Sequence, residues 1–244
     1  MKIMSKKLKL FLGFSYLLIL FAFLYFIFLQ VEINRLNDFS YYKELQANLD
    51  VFIGKNFLIN LLIFFIASIV WVVLLGFGLP LLMTAGILFG KWIGTLVAVI
   101  SMSLGALLLY IIANFFFKDL VNKVLEKKFS NYIKLFKKNE FFYFFIFRIT
   151  GGLGLPFALQ NVLPIIFNIK KINYFFATLL GFIPSMFILV SVGSGLNKFI
   201  KDSDNFSFIN FLNNKEIYFP IIVFVTFIFI SGIIKKKFFN ATDK

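Results

Sequence analysis

Residues 141–169 read FFYFFIFRITGGLGLPFALQNVLPIIFNI, and this stretch decides the class of fold. It is apolar enough for a lipid bilayer, but Arg148 interrupts it and the segment 150–156, rich in glycine, breaks it. An arginine near the bilayer centre costs about 2.5–3.5 kcal/mol on insertion scales, so such a residue indicates a functional site. Broken backbone at that depth persists only where protein or a watery cavity satisfies its polar groups. The stretch therefore predicts a membrane protein that handles a polar, anionic group within the bilayer.

The composition of the whole chain supports this class. Of 244 residues, 61% are apolar and 15% are charged, and the mean hydropathy is +0.93, whereas soluble domains are about 45–50% apolar and about 25% charged. Cysteine and histidine are both absent, which excludes thiol catalysis, disulfides and the usual zinc sites. Segments 57–113 and 141–196 also contain no carboxylate, so paired-carboxylate hydrolysis is excluded there. We therefore expect no enzyme activity, no cofactor and no metal.

Hydropathy divides the chain into five segments. They are an N-terminal transmembrane anchor at 1–30, an external amphipathic loop at 31–56, a membrane domain at 57–196, an external loop at 197–216, and a C-terminal transmembrane helix with a basic tail at 217–244. Two interpretations of 31–56 stay open, namely a short helix lying at the membrane interface and a solvated loop. No small-x-small cleavage site follows the basic start and the long apolar run, so we expect an uncleaved anchor.

Charge placement predicts the topology. Suppose that 57–90 and 141–169 are hairpins, each of which enters and leaves through a single face of the membrane, and that the two use opposite faces. One side of the membrane then holds an excess of 13 positive charges, and the other side carries no net charge. Lysine excess marks the cytoplasmic side, which places both termini there. We therefore predict an all-α integral membrane protein with about four transmembrane helices and two opposed re-entrant helical hairpins. The net charge of +14 then indicates anionic lipid headgroups as partners and requires no nucleic acid.

Small residues mark the first hairpin. Its predicted tip contains Gly76, Gly78 and Pro80, which favour a tight chain reversal. Three glycines then recur at every fourth position, Gly86, Gly90 and Gly94. Small residues at this spacing let helices approach closely, so we interpret them as helix-packing positions, either within the chain or between copies in a homo-oligomer.

The second hairpin carries the predicted binding site. Half-helices that end within a membrane direct free N–H groups at the midplane, where they attract anions, and arginine clamps phosphate or carboxylate through two parallel hydrogen bonds. The predicted substrate-binding residues are Arg148, Thr150, Gly151, Gly152, Pro156, Gln160 and Asn161. In the structural alternative, Arg148 caps carbonyl groups freed at the break and Asn161 crosslinks the two limbs.

Two segments together resemble a known family. They are TAGILFGKWIGTLVAVISMSLGALLLYIIA at 84–113 and FRITGGLGLPFALQNVLP at 147–164. They are similar to the VTT-domain family, also called the DedA or SNARE-associated Golgi protein family, and most of all to its bacterial TVP-type branch. The resemblance implies re-entrant hairpins, residence in the bacterial cytoplasmic (inner) membrane and membrane transport, in some members of polyprenyl phosphates or phospholipids. It makes Arg148, Pro156 and Asn161 the family's hairpin residues.

The chain also departs from the DedA pattern. The acidic residue near the first tip is absent, Gly154 stands in place of a second arginine, and Gly151 and Gly152 replace a proline. Proton-coupled movement of the DedA kind is therefore not expected.

Three functions are compatible with the sequence. The first is a transporter or lipid translocase of the flippase or scramblase type, and the second is a small-solute or ion carrier. The third is a non-transporting scaffold that binds partners through the lysines Lys123, Lys127, Lys128, Lys134, Lys137 and Lys138.

Overall fold

The computed structural model describes residues 18, 25, 35, 38–74, 76, 78–125 and 130–239, with the backbone alone for 117–125 and for Ser130. The chain divides into two compact units, Met1–Glu44 and Leu45–Lys244. Apart from two single residues, the predicted N-terminal anchor lies outside the described part, as do the end of the basic tail and two of the scaffold lysines, Lys127 and Lys128.

The regular structure of the described ranges is entirely helical. The α-helices are α1 (Phe39–Lys55), α2 (Phe57–Val73), α3 (Gly78–Leu125), α4 (Ser130–Lys138), α5 (Glu140–Ile149), α6 (Phe157–Val162), α7 (Lys171–Asp202), α8 (Phe208–Asn213) and α9 (Lys215–Phe239). Two 3₁₀ turns, Gly152–Gly154 and Leu163–Phe167, flank α6. A helix is therefore seen over Phe39–Lys55 within 31–56, and its location at the membrane interface stays a prediction.

Among the described residues, three helical ranges are long and apolar enough to cross a membrane, Gly78–Phe116, Lys171–Asp202 and Lys215–Phe239. The first of them contains a break at Gly90. A fourth span results if α1 and α2, which are bent by 104° at their junction, are counted as one. The prediction of an all-α membrane protein is confirmed.

The chain reverses direction at Gly90, inside α3. Its φ of 70° and ψ of 177° lie in a region that glycine alone adopts readily. The segment 78–89 consequently runs back along 91–125, with Gly78 against the Met102 methyl group and Gly94 against the Ala85 carbonyl. The packing interpretation of Gly90 is wrong, because a Cβ there would meet nothing within 4 Å. Gly90, at the predicted end of the first hairpin, is instead the turn between two helices.

The first hairpin consists of α2 and the segment 78–89. The rings of Phe57 and Phe64 contact Phe89, with centroids 6.0 and 5.3 Å apart, so the start of α2 lies beside the end of 78–89. At the other end Val72 packs against Gly105. The tip between α2 and α3 therefore lies beside the middle of the longer helix 91–125. Pro80 follows in the first turn of α3, where a missing N–H breaks no helical hydrogen bond.

The second hairpin runs from α5 to the 3₁₀ turn Leu163–Phe167. At its open end, the end opposite the tip, a hydrogen bond of 2.6 Å from the Lys170 backbone N–H to Glu140 Oε2 joins the two limbs. This end lies beside Tyr110, whose hydroxyl donates to the Ile169 carbonyl at 2.9 Å. The ring of Phe157, which begins the returning limb, packs against Gly78 at the first tip.

The two hairpins are therefore opposed. Their tips meet at Gly78 and Phe157, beside Met102, while their open ends lie near opposite ends of the helix 91–125. Their re-entry into one face of a bilayer stays a prediction.

Close backbone contact joins the first hairpin to α7. A Cβ on Gly86 would overlap the Val190 carbonyl and the Ser194 N–H group, and one on Gly193 would overlap the backbone of Met83. Because these neighbours are backbone atoms, they cannot rotate away. Of the three glycines predicted to be helix-packing positions, Gly86 is therefore one.

Gly86→Ala is accordingly expected to destabilise the protein by about 1–3 kcal/mol, the usual cost of overpacking. Thermal unfolding of the purified protein in detergent should show a lower midpoint. Gly232→Ala in α9 is the matched control, since a Cβ there meets nothing within 4 Å, and it should leave the midpoint unchanged or raise it. Equal midpoints for the two variants would contradict the close helix crossing.

Candidate functional site

Arg148 is the largest fully buried side chain of the described residues, with 1% of its surface exposed. It lies in the last turn of α5, and its hydrogen bonds run to α7. Nε donates to Thr178 Oγ1 at 3.1 Å, and Nη2 donates to the Tyr174 hydroxyl at 2.7 Å. The arginine therefore ties the first limb of the second hairpin to the long helix that follows it.

Aromatic rings surround the guanidinium group. Its central carbon lies 4.9 Å from the ring centroids of Phe144 and Phe182 and 5.2 Å from that of Tyr174. Cation–π attraction is strongest where water is excluded, so the rings offset part of the cost of burying the charge. Gly181 makes this possible, because a Cβ there would overlap the Cβ of Arg148.

The charge of Arg148 is nevertheless only partly compensated. Within the described ranges it forms no ion pair, and its buried Nη1 has no hydrogen-bond partner. Asn161, 0% exposed, likewise has no partner in this part of the chain for either atom of its carboxamide. Its backbone carbonyl accepts from the Tyr174 hydroxyl at 3.1 Å, so Tyr174 links Arg148 to the second limb. Unpaired buried polar groups cost about 1–3 kcal/mol each, which makes this cluster a candidate site for a ligand that would supply partners.

The tip itself is a tight turn of unusual backbone conformation. Gly151, Gly152, Leu153 and Gly154 all have positive φ, between 60° and 85°. Gln160 stabilises the turn through Nε2, which donates to the Gly151 carbonyl at 3.0 Å and to the Leu155 carbonyl at 2.7 Å. Two of the carbonyl groups freed at the break are therefore capped by a neutral side chain.

The arrangement corrects the structural alternative in two details. Arg148 does not cap the freed carbonyl groups, because Gln160 does so and Arg148 is directed at α7. The Asn161 side chain does not crosslink the limbs either, since its carboxamide has no described partner and its backbone carbonyl makes the link.

The comparison with known families bears on these residues directly. A family model described as the VTT domain matches residues 77–195. The chain carries a VTT domain. The predicted resemblance is confirmed over these residues, while the TVP-type branch stays a prediction. No solved structure matches this chain.

The matched residues 77–195 contain all of the predicted binding residues and, of the first tip, Gly78 and Pro80, but the binding residues do not form one cluster. Arg148 and Asn161 meet through Tyr174 beneath the tip. The others shape the turn: Thr150 Oγ1 donates to the Ile146 carbonyl at 2.8 Å, and Pro156 is the N-cap of α6. Gly151, Gly152 and Gln160 belong to the turn described above.

Three residues of α7 that surround the arginine were missed by sequence analysis. They are Tyr174, Thr178 and Phe182, at successive intervals of four along α7. A signal for them exists, because this spacing places two hydroxyl groups and a ring on one helix face. That face opposes the hairpin that carries Arg148.

Proposed function

We propose that this protein is a membrane transporter of the lipid-translocase type, in which an anionic headgroup passes between the two hairpin tips while the lipid tails remain in the bilayer. We place it in the bacterial cytoplasmic membrane with both termini in the cytoplasm. The proposal rests first on Arg148, a buried cation with an unpaired Nη1 and no carboxylate partner in the described residues.

The energetics of Arg148 favour an anionic ligand. Burying a charge costs several kcal/mol, and a poorly compensated charge is strongly destabilising. The present hydrogen-bond partners, Thr178 and Tyr174, are neutral hydroxyl groups. Arginine binds a phosphate or a carboxylate through two parallel hydrogen bonds between opposite charges, which neither hydroxyl group can offer. A phosphate group that reached the guanidinium would therefore compete well with these hydroxyl groups and would also pair Nη1.

Access to Arg148 requires movement of the hairpins. The side chain is 1% exposed, so the described arrangement is a closed one. The tips touch through Phe157 and Gly78, and the rings of Phe157 and Phe182 lie 6.0 Å apart. Because Phe182 also covers the guanidinium, separation of the tips would loosen the aromatic cover of the charge. In the proposed cycle, tip separation and exposure of Arg148 are one event.

Leaflet exchange in proteoliposomes tests this function. The wild-type chain is reconstituted with fluorescently labelled phosphatidylglycerol or polyprenyl phosphate, and a membrane-impermeant quencher reports the fraction of label in the outer leaflet. We expect quenching to proceed beyond the outer-leaflet half in every vesicle that contains protein, and protein-free vesicles to stop at that half. Folded, reconstituted protein that moves neither lipid would overturn the proposal and favour a small-solute carrier or a scaffold.

A further inference from the structure

A cavity of about 200 Å³ lies beside the second hairpin, and Arg148 is not among the residues that line it. Helix α4 contributes Tyr132 and Phe136, the 3₁₀ turn Leu163–Phe167 contributes Phe167, and α9 contributes Lys235 and Phe239. Leu153 of the hairpin tip completes one wall. Apart from one ammonium group, the walls are aromatic or aliphatic. Since α9 lies beyond residues 77–195, this cavity is partly built by a helix outside the VTT domain.

Lys235 is directed inward. Side chains of a helix lean toward its N-terminus, and Ser231, one turn before Lys235, contacts the Ile149 carbonyl at the end of α5 with an Oγ–O distance of 3.4 Å. Lys235 Nζ accordingly donates to the Leu153 carbonyl at 3.2 Å, while Lys236 and Lys237 are exposed. An ammonium group has three donors, and the Leu153 carbonyl is the one acceptor found for it among the described residues. Its capacity to bind an anion is largely unused.

Helix α4 and the last turns of α9, which both line the cavity, carry basic but no acidic residues, whereas Glu140 begins the adjacent α5. Helix α4 carries Lys134, Lys137 and Lys138, and α9 carries Lys236 and Lys237 next to Lys235. Neither 130–138 nor 231–239 contains a carboxylate. Basic clusters beside membrane helices attract anionic lipids, by about 1 kcal/mol per lysine near the surface.

We infer that this cavity binds one anionic phospholipid, with its headgroup on Lys235 and part of one acyl chain against the wall formed by Phe147, Leu155 and Leu163. An apolar cavity with a single cation matches an amphiphile, because neither a free phosphate nor a neutral lipid would satisfy both parts of the site. The space holds a length of one chain and leaves the remainder of the lipid in the bilayer. The inference concerns a separate site and does not depend on the proposed transport at Arg148.

Binding at this site would also act on the second tip. The headgroup and the Leu153 carbonyl would share the Lys235 ammonium, and Leu153 belongs to the positive-φ turn of the hairpin. A bound anionic lipid thereby couples α9 to the tip through one side chain.

Native mass spectrometry of the full chain in a non-ionic detergent tests the inference, with phosphatidylglycerol and phosphatidylcholine as the added probes. We expect wild-type protein to retain one phosphatidylglycerol with a clearly lower Kd than phosphatidylcholine. Lys235→Gln should raise the Kd for phosphatidylglycerol at least about tenfold, as expected for loss of a charge-assisted hydrogen bond. Lys235→Arg, which keeps the charge, should retain the lipid.

Lys236→Gln is the matched control, because it removes the same charge from the adjacent, exposed position. It should raise the Kd by no more than about fivefold, which corresponds to the roughly 1 kcal/mol that one surface lysine contributes, and so clearly less than Lys235→Gln does. Equal retention of the two lipids by the wild-type chain would overturn the inference, and this comparison depends on no variant. An equal loss in Lys236→Gln and Lys235→Gln would also overturn it, because it would indicate a diffuse basic surface.

Discussion

Arg148→Ala is expected to reduce leaflet exchange of an anionic lipid to the background of protein-free vesicles. The guanidinium is the only cation in the described part of the second hairpin's interior, and its Nη1 is available for a headgroup. The protein should still fold. Loss of contact with three aromatic rings destabilises it, but removal of a poorly compensated buried charge acts in the opposite direction. Reconstituted yield and the thermal midpoint should therefore stay near the wild-type values.

Two further substitutions separate charge from volume. Arg148→Met fills the space among Phe144, Tyr174 and Phe182 without a charge and should be as inactive as Arg148→Ala. Arg148→Lys keeps the charge but lacks the planar fork of donors, so it should restore exchange only in part.

Thr178→Val removes a hydroxyl that holds Nε in the closed arrangement and should leave exchange intact. Wild-type exchange by folded Arg148→Met would exclude Arg148 as the headgroup site.

The same variants distinguish the alternative functions. A scaffold that acts through its lysine-rich surface would tolerate Arg148→Met and would lose function on neutralisation of the lysines at 123–138. A small-solute carrier would be impaired by Arg148→Met although the wild-type chain moves no lipid. Each alternative therefore has its own pattern across the two sets of variants.

The opposed hairpins could be predicted from sequence because two independent patterns agree, namely the breaks in the apolar stretches and the distribution of lysines along the chain. Glycine and proline break both apolar stretches, and only a reversal at each break gives an asymmetric lysine distribution. Gly90 was misinterpreted for the opposite reason. A spacing of four is ambiguous between a packing stripe and two short helices joined at a glycine. Only the positive φ and the contact of Gly94 with Ala85 resolve it.

The candidate site could be predicted only in part. Arg148 was identified because its burial is costly wherever it points, whereas its partners depend on which helix packs against it. Tyr174 and Thr178 lie 26 and 30 residues further along the chain, and nothing local to Arg148 selects them over the Gly151 or Leu155 carbonyl. That choice comes from the close approach of α7 at Gly181.

The central claim is that the headgroup passes between the hairpin tips, and a reversible crosslink across them tests it most directly. The chain contains no cysteine, so Gly78→Cys with Phe157→Cys introduces a single thiol pair. The Phe157 ring lies 3.8 Å from the position that a Gly78 Cβ would take, so cysteines at these two positions would be neighbours across the tips. Oxidation would hold the tips together and keep Arg148 covered.

The matched control joins the limbs at the open end of the first hairpin, through Phe57→Cys with Phe89→Cys, where the native rings are 6.0 Å apart. The measurement is leaflet exchange of labelled phosphatidylglycerol before oxidation, after oxidation and after reduction. The account predicts that oxidation of the tip pair lowers exchange to background, that reduction restores it, and that the control pair exchanges lipid throughout. Undiminished exchange by the fully crosslinked tip pair would contradict passage between the tips.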